Sequence, residues 1–249
     1  MKDSRAKLIC LHHAGGGPSV FDHWVRTAPD GLDVIALELP KHPDITGRRL
    51  YRSADDLVPV LAEHIAERVT EGRIDEQGDG NYVLFGQSMG GLLAYLVTRY
   101  FYERGGPLPK ALAVASYAAP CIPWTDSTGP DAPDDVLVRR LHAIGGVPTW
   151  LVEHPRWLSP FLGLVRDDAR LCGSYRHVPQ SSRLPLPVHV FGGTRDPLVP
   201  EESLYGWYEI ADEVTVKVLD GGHFLASEDF GQLRRSVFGL AIGGHVRVG

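Results

Sequence analysis

Tyr82-Val83-Leu84-Phe85-Gly86-Gln87-Ser88-Met89-Gly90-Gly91-Leu92-Leu93 carries more structural information than any other stretch of the chain. A short apolar run leads straight into Gly-x-Ser-x-Gly, and Met89, Leu92, Leu93, Leu96 and Tyr100 follow at helical spacing. A strand that passes into a helix through so short a turn leaves its serine on a sharp bend. Glycines at positions 86 and 90 relieve the crowding that Cβ atoms would cause there. Such a bend lifts the hydroxyl above the carboxyl edge of a sheet. The helix N-terminus then turns its free N–H groups and positive dipole end toward whatever the hydroxyl attacks.

Similar apolar runs lie on either side. Lys7 to Leu11, Asp33 to Leu39, Tyr82 to Phe85, Ala111 to Ser116, Pro187 to Phe191 and Val214 to Leu219 read as strands. Most are nearly continuous in apolar residues, which suits strands buried on both faces of a parallel sheet. Between them, Ser53-Ala54-Asp55-Asp56 reads as a helix cap before the stripe Leu57, Leu61, Ile65, and Ser227 as the cap of a last helix through Leu233, Val237 and Leu240. Alternating strands and helices predict an α/β fold with a mostly parallel central sheet flanked by helices. One segment breaks the alternation. From Cys121 to Leu184 no strand is evident; a helix fits Asp134 to Ile144, ended by Gly145-Gly146, and another fits 160–175. The expected organisation is a core of residues 1–120 and 185–249 carrying a mainly helical lid insertion at 121–184.

Composition excludes several classes. The chain has 249 residues and a formal net charge of −6, which gives no electrostatic reason to expect nucleic acid. Its three cysteines, Cys10, Cys121 and Cys172, form neither a disulfide framework nor a metal-ligand pattern. With no secretory leader and no long apolar run to span a membrane, a cytoplasmic monomer is expected.

Two further segments complete the chemistry. Phe191-Gly192-Gly193-Thr194-Arg195-Asp196 puts Asp196 at the carboxyl end of one predicted strand, and Gly221-Gly222-His223-Phe224 puts His223 just after the last. The order Ser88, Asp196, His223 is that of the α/β-hydrolases. A serine hydroxyl is a weak nucleophile until a base takes its proton. His223 is that base and later the general acid; Asp196 fixes the imidazole tautomer and stabilises the imidazolium. An oxyanion hole needs two donors, for which the backbone N–H groups of Met89 and of Ala14, in Leu11-His12-His13-Ala14-Gly15-Gly16-Gly17, are the candidates. That glycine-rich loop matches no phosphate-binding pattern. His12 and His13 are adjacent on a strand and point opposite ways, so neither metal nor cofactor is expected. Asp44 or Glu38 replaces Asp196 only by breaking the chain order.

Over nearly its whole length the sequence resembles the stand-alone type II thioesterases of polyketide and nonribosomal peptide pathways. Leu11-His12-His13-Ala14-Gly15-Gly16 is similar to the family's Phe-Pro-x-Ala-Gly-Gly, and Gly86-Gln87-Ser88-Met89-Gly90 to its Gly-His-Ser-Met-Gly. Leu141 to Pro148, Arg166-Asp167-Asp168-Ala169-Arg170 and Tyr175 resemble its lid. His12 in place of Pro, Gln87 in place of His and Leu39-Pro40-Lys41-His42 in place of Leu-Pro-Gly-Arg are departures. The resemblance implies hydrolysis of acyl groups from the phosphopantetheine arm of an acyl- or peptidyl-carrier protein. A carboxylesterase, an acyltransferase or a cyclising enzyme would use the same triad. In the insertion, Trp124, Trp150, Trp157, Phe161, Leu162 and Leu164 either border an acyl chamber or pack the lid on itself and the sheet; packing is the expected role for most. Arg139, Arg140, Arg166, Arg170, Arg176 and Arg183 either attract an acidic carrier or, as solvated helix faces commonly do, simply meet water.

Overall fold

The computed structural model describes residues 5–40, 51, 53–70, 81–122, 130–227 and 231–243. Six strands, β1 (Ala6–Leu11), β2 (Leu32–Ala36), β3 (Tyr82–Gln87), β4 (Ala111–Ala115), β5 (Val188–Gly193) and β6 (Val214–Leu219), form one sheet in the order β2-β1-β3-β4-β5-β6. Every neighbouring pair is parallel. All carboxyl ends therefore open on the same edge, where loops from β1, β3, β5 and β6 meet.

Alternation along each strand divides the interior into two layers. Ile9, Leu11, Tyr82, Leu84, Leu112 and Val114 face one way, onto α2 (Ala54–Thr70) and α3 (Met89–Arg104). Leu8, Cys10, Val83, Phe85, Ala111 and Ala113 face the other, onto α1 (Asp22–Arg26) and α7 (Gly231–Ile242). Strands buried on both faces account for the unbroken apolar runs. Trp24 of α1 anchors the second layer: its ring stacks on Phe85 at 5.0 Å and its indole N–H donates to the Ala226 carbonyl at 3.1 Å.

Helix ends follow the local sequence. Ser53 Oγ accepts the Asp56 N–H at 3.2 Å and donates to the Asp56 carboxylate at 2.7 Å, a reciprocal cap for α2. Ser227 and α7 are separated by residues outside the described set. Between β4 and β5 lie α4 (Asp134–Ala143), α5 (Thr149–Val152) and α6 (Pro155–Ser174). Gly145, at φ 77°, takes the left-handed position that ends α4, and the Gly146 N–H returns to the Leu141 carbonyl at 2.7 Å.

The inserted helices are not uniform. Trp150 and Trp157 are 59% and 67% exposed, so neither fills the interior of the insertion; Trp124 lies outside the described residues. Arg139 pairs with Asp135, Arg166 with Asp134, Arg170 with Asp131 and Asp167, and Arg183 with Glu209. These are mostly exposed ion pairs of small energetic weight, as the solvated-face reading expects. The second half of α6 is different. Leu171 and Cys172 belong to the main core, and burial pushes the Cys172 thiol up to about 12. Ser174 Oγ accepts the N–H of Ala54 at the start of α2.

Candidate active site

Ser88 stands between β3 and α3 at φ 55°, ψ −119°, a left-handed conformation that costs a non-glycine residue of order 1–3 kcal/mol and persists because its surroundings leave no other choice. A Cβ on Gly86 would come within 2.0 Å of the Gly90 carbonyl oxygen, and one on Gly90 within 2.1 Å of the Leu11 carbonyl oxygen. The turn is thus backbone packed on backbone, and it brings the start of α3 against the end of β1.

Asp196 and His223 reach the same edge from β5 and β6. A Cβ on Gly193 would meet the Gly222 carbonyl oxygen at 2.3 Å, so these two loops also touch without side chains between them. His223 Nδ1 lies 2.8 Å from Asp196 Oδ2, and His223 Nε2 lies 2.9 Å from Ser88 Oγ. The other Asp196 oxygen accepts the backbone N–H groups of Leu198 and Val199 at 2.9 and 3.2 Å. A carboxylate can only accept, so Nδ1 carries the proton and Nε2 is left to accept the Ser88 hydroxyl hydrogen. The three side chains are nearly buried, with 8%, 8% and 4% exposure for Ser88, Asp196 and His223. Sequence order brought forward these three residues, and in space they form one hydrogen-bonded chain. Glu38 is not among its members, and Asp44 lies outside the described residues.

Two backbone N–H groups are the candidates to receive an oxyanion. Met89 opens α3, so its N–H has no acceptor within the helix. The N–H of Ala14 makes no hydrogen bond among the described residues. In those same residues no group of three or more His, Cys, Asp or Glu side chains stands close enough to hold a metal ion.

Sequence reasoning missed how the base is held. Gln87 is fully buried; its Nε2 donates to the His223 carbonyl and its Oε1 accepts the Ala226 N–H, each at 2.9 Å. The glutamine that departs from the family pattern therefore grips the histidine loop at two points. Gln87→Ala leaves two buried backbone groups without partners at about 1–2 kcal/mol each. We expect a thermal midpoint lower by about 4–16 °C and a kcat lower by about tenfold, because the base is less well aimed. Calorimetry and steady-state kinetics on the same preparation check both. His13 was also missed. Its ring meets Phe224 edge-on at 4.6 Å, and burial, with His223 nearby, holds it below the ordinary imidazole value despite its bond to the Ala14 carbonyl. An open groove of about 520 Å³ lies beside this pair, lined among others by Gln87, Gly145 and Gly146.

A parallel sheet with its serine at a strand-to-helix bend, backed by imidazole and carboxylate, defines an α/β-hydrolase. The family model described as "Thioesterase domain" matches residues 6–239, and the chain belongs to that family. It is 26% identical over 226 residues to the gramicidin S biosynthesis protein GrsT of Aneurinibacillus migulanus, covering 90% of this chain and 84% of the relative. It is 25% identical over 232 residues to the thioesterase PikA5 of Streptomyces venezuelae, covering 93% and 79%. Among solved structures, the RedJ thioesterase of the prodiginine pathway of Streptomyces coelicolor superposes with a TM-score of 0.80 at 28% identity, covering 95% of this chain and 89% of that one. The thioesterase family and its hydrolase fold are those that the sequence motifs implied. No helix among the described residues is long and apolar enough to cross a membrane.

Proposed function

We propose that this enzyme hydrolyses acyl thioesters from the phosphopantetheine arm of an acyl- or peptidyl-carrier protein of a polyketide or nonribosomal peptide pathway, with Ser88 as nucleophile. The hydrogen-bond chain from Ser88 through His223 to Asp196 is the observation that carries it. His223 takes the hydroxyl proton as Oγ attacks the thioester carbonyl, and the Met89 and Ala14 N–H groups receive the oxyanion. Collapse expels the carrier sulfur, which takes the His223 proton and leaves as the thiol, so the imidazole is again a base. Thiolate is a good leaving group, so this step asks little of His223 as an acid. A water that His223 deprotonates then attacks the acyl-enzyme; as the acyl–Oγ bond breaks, His223 returns that proton to Ser88 Oγ and the acid leaves. Asp196 holds the imidazole in the tautomer that both half-reactions use. In this reading neither metal nor cofactor takes part, and a cytoplasmic monomer acts without nucleic acid or membrane. Residues 121–184 act as the lid, which carries the exposed Trp150 and Trp157.

Intact-protein mass spectrometry of acyl-carrier proteins, before and after incubation, tests this. We expect loss of the acyl mass with the pantetheine arm retained, and no loss with Ser88→Ala. A higher kcat/KM on a matched oxygen ester than on the thioester would replace the reading with an esterase. Transfer of the acyl group to an added amine or alcohol, in preference to water, would replace it with an acyltransferase.

A further inference from the structure

Of the three consecutive N–H groups of Ala14, Gly15 and Gly16, two are engaged within the protein. The Gly16 N–H donates to the His13 carbonyl at 3.0 Å, and the Gly15 N–H to Asp168 Oδ2 at 2.8 Å. Only the Ala14 N–H is left without an acceptor among the described residues. Its direction is set by the peptide unit it belongs to. In a planar trans peptide the N–H points opposite to the C=O, so whatever fixes the His13 carbonyl fixes the Ala14 N–H. Besides Gly16, that carbonyl accepts from His12 Nδ1 at 2.8 Å. The next unit is held at both ends: the Ala14 carbonyl accepts from His13 Nδ1 at 2.9 Å, and the Gly15 N–H meets Asp168.

The holding groups are well placed for a lasting role. His12 is fully buried and Asp168 is 3% exposed. Asp168 comes from the core-facing half of α6. Gly15 has φ +74°, and a Cβ there would stand 2.6 Å from Val165 Cγ2, so the loop is pressed directly onto that helix. We propose that His12 and Asp168 are positioning residues: acting through the His13-Ala14-Gly15 backbone, they hold the Ala14 N–H at the angle that receives the oxyanion. This rests on the triad reading above, in which Ala14 is the second donor. His12 stands where the related family usually has Pro, so its contact needs a residue with a side-chain donor at that place.

The test compares His12→Ala, His12→Asn, Asp168→Ala and Asp168→Asn. Asn at 12 keeps an N–H donor near the Nδ1 position, and Asn at 168 keeps an acceptor oxygen while losing the charge. Three quantities are measured: kcat on an acyl thioester; affinity for a trifluoromethyl ketone analogue, whose adduct with Ser88 carries an oxyanion; and affinity for the matching unreactive thioether. Both alanine variants should lose about 10- to 100-fold in kcat and in trifluoromethyl ketone affinity, with thioether affinity within about twofold of wild type. Both asparagine variants should return to within about fivefold.

Unchanged kcat in the alanine variants overturns the proposal, and so does equal weakening of both analogues or failure of asparagine to restore folded protein. If an alanine variant does not fold, His12→Gln and Asp168→Glu, which displace the donor or acceptor by one bond, take its place. Rates equal to those of the asparagine variants then count against the proposal. Ser88→Ala in parallel separates the two levels: turnover surviving there removes the triad reading itself, whereas a dead Ser88→Ala beside unaffected His12 and Asp168 variants removes only the positioning roles.

Discussion

Ser88→Ala lowers kcat by about 10⁴-fold or more while the protein stays folded, with a thermal midpoint within about 3 °C of wild type. The two halves of this expectation have separate causes. Alanine bears the same backbone strain at φ 55° as serine does, so the bend itself is unchanged. Among the described residues the hydroxyl makes one hydrogen bond, to His223, and that bond serves the chemistry more than the fold. Without Oγ there is no acyl-enzyme, and only the oxyanion donors and substrate binding remain to assist water. His223→Ala has nearly the same effect, because nucleophile and base act as a unit. Turnover, fluorophosphonate labelling and a melting curve on one preparation are sufficient. A Ser88→Ala enzyme with near-normal rates would mean that another group attacks the substrate.

The largest structural effect belongs to Gly90→Ala. Its methyl group would lie 2.1 Å from the Leu11 carbonyl oxygen and 2.8 Å from that of His12. Both obstacles are backbone, so no side chain can rotate out of the way, and α3 must retreat from β1. We expect a loss of more than about 4 kcal/mol, which for a domain of this size lowers the midpoint by about 10 °C or more, or leaves the protein insoluble. Any folded fraction is inactive, because the retreat carries Met89 away from Ala14. Gly222→Ala is the control: its Cβ position has open space, and it sits beside His223. Circular dichroism melts of the two variants should differ sharply; equal melts would mean that the contact between α3 and β1 is not rigid.

Legibility in the sequence follows the range of the interactions involved. The central strands, buried on both faces, write continuous apolar runs, and the half-exposed edge strands β2 and β6 write shorter mixed ones that were still visible; Val214–Leu219 keeps its predicted ends. Strand β2 stops at Ala36 rather than Leu39, since Leu37 and Leu39 turn into the core from a loop. The catalytic candidates could be read because order at strand ends is a property of the chain itself. Short elements could not: α1, α5 and the 3-10 turn Glu201–Glu209 are too brief to show a period, although Trp24 and Trp207 within them are fully buried. Contacts across long separations were also silent. Nothing near position 168 says that its carboxylate meets Gly15, 153 residues away, and nothing near 87 says that its amide spans the loop of His223.

The divided character of α6 bears on how such enzymes are recombined. A graft that exchanged the whole of residues 121–184 for those of a relative would import a foreign partner for Gly15 and disturb the recipient's catalytic loop. A junction placed ahead of Val165 would trade the portion that carries the exposed Trp150 and Trp157 and leave the Asp168 anchor of Gly15 with its own scaffold.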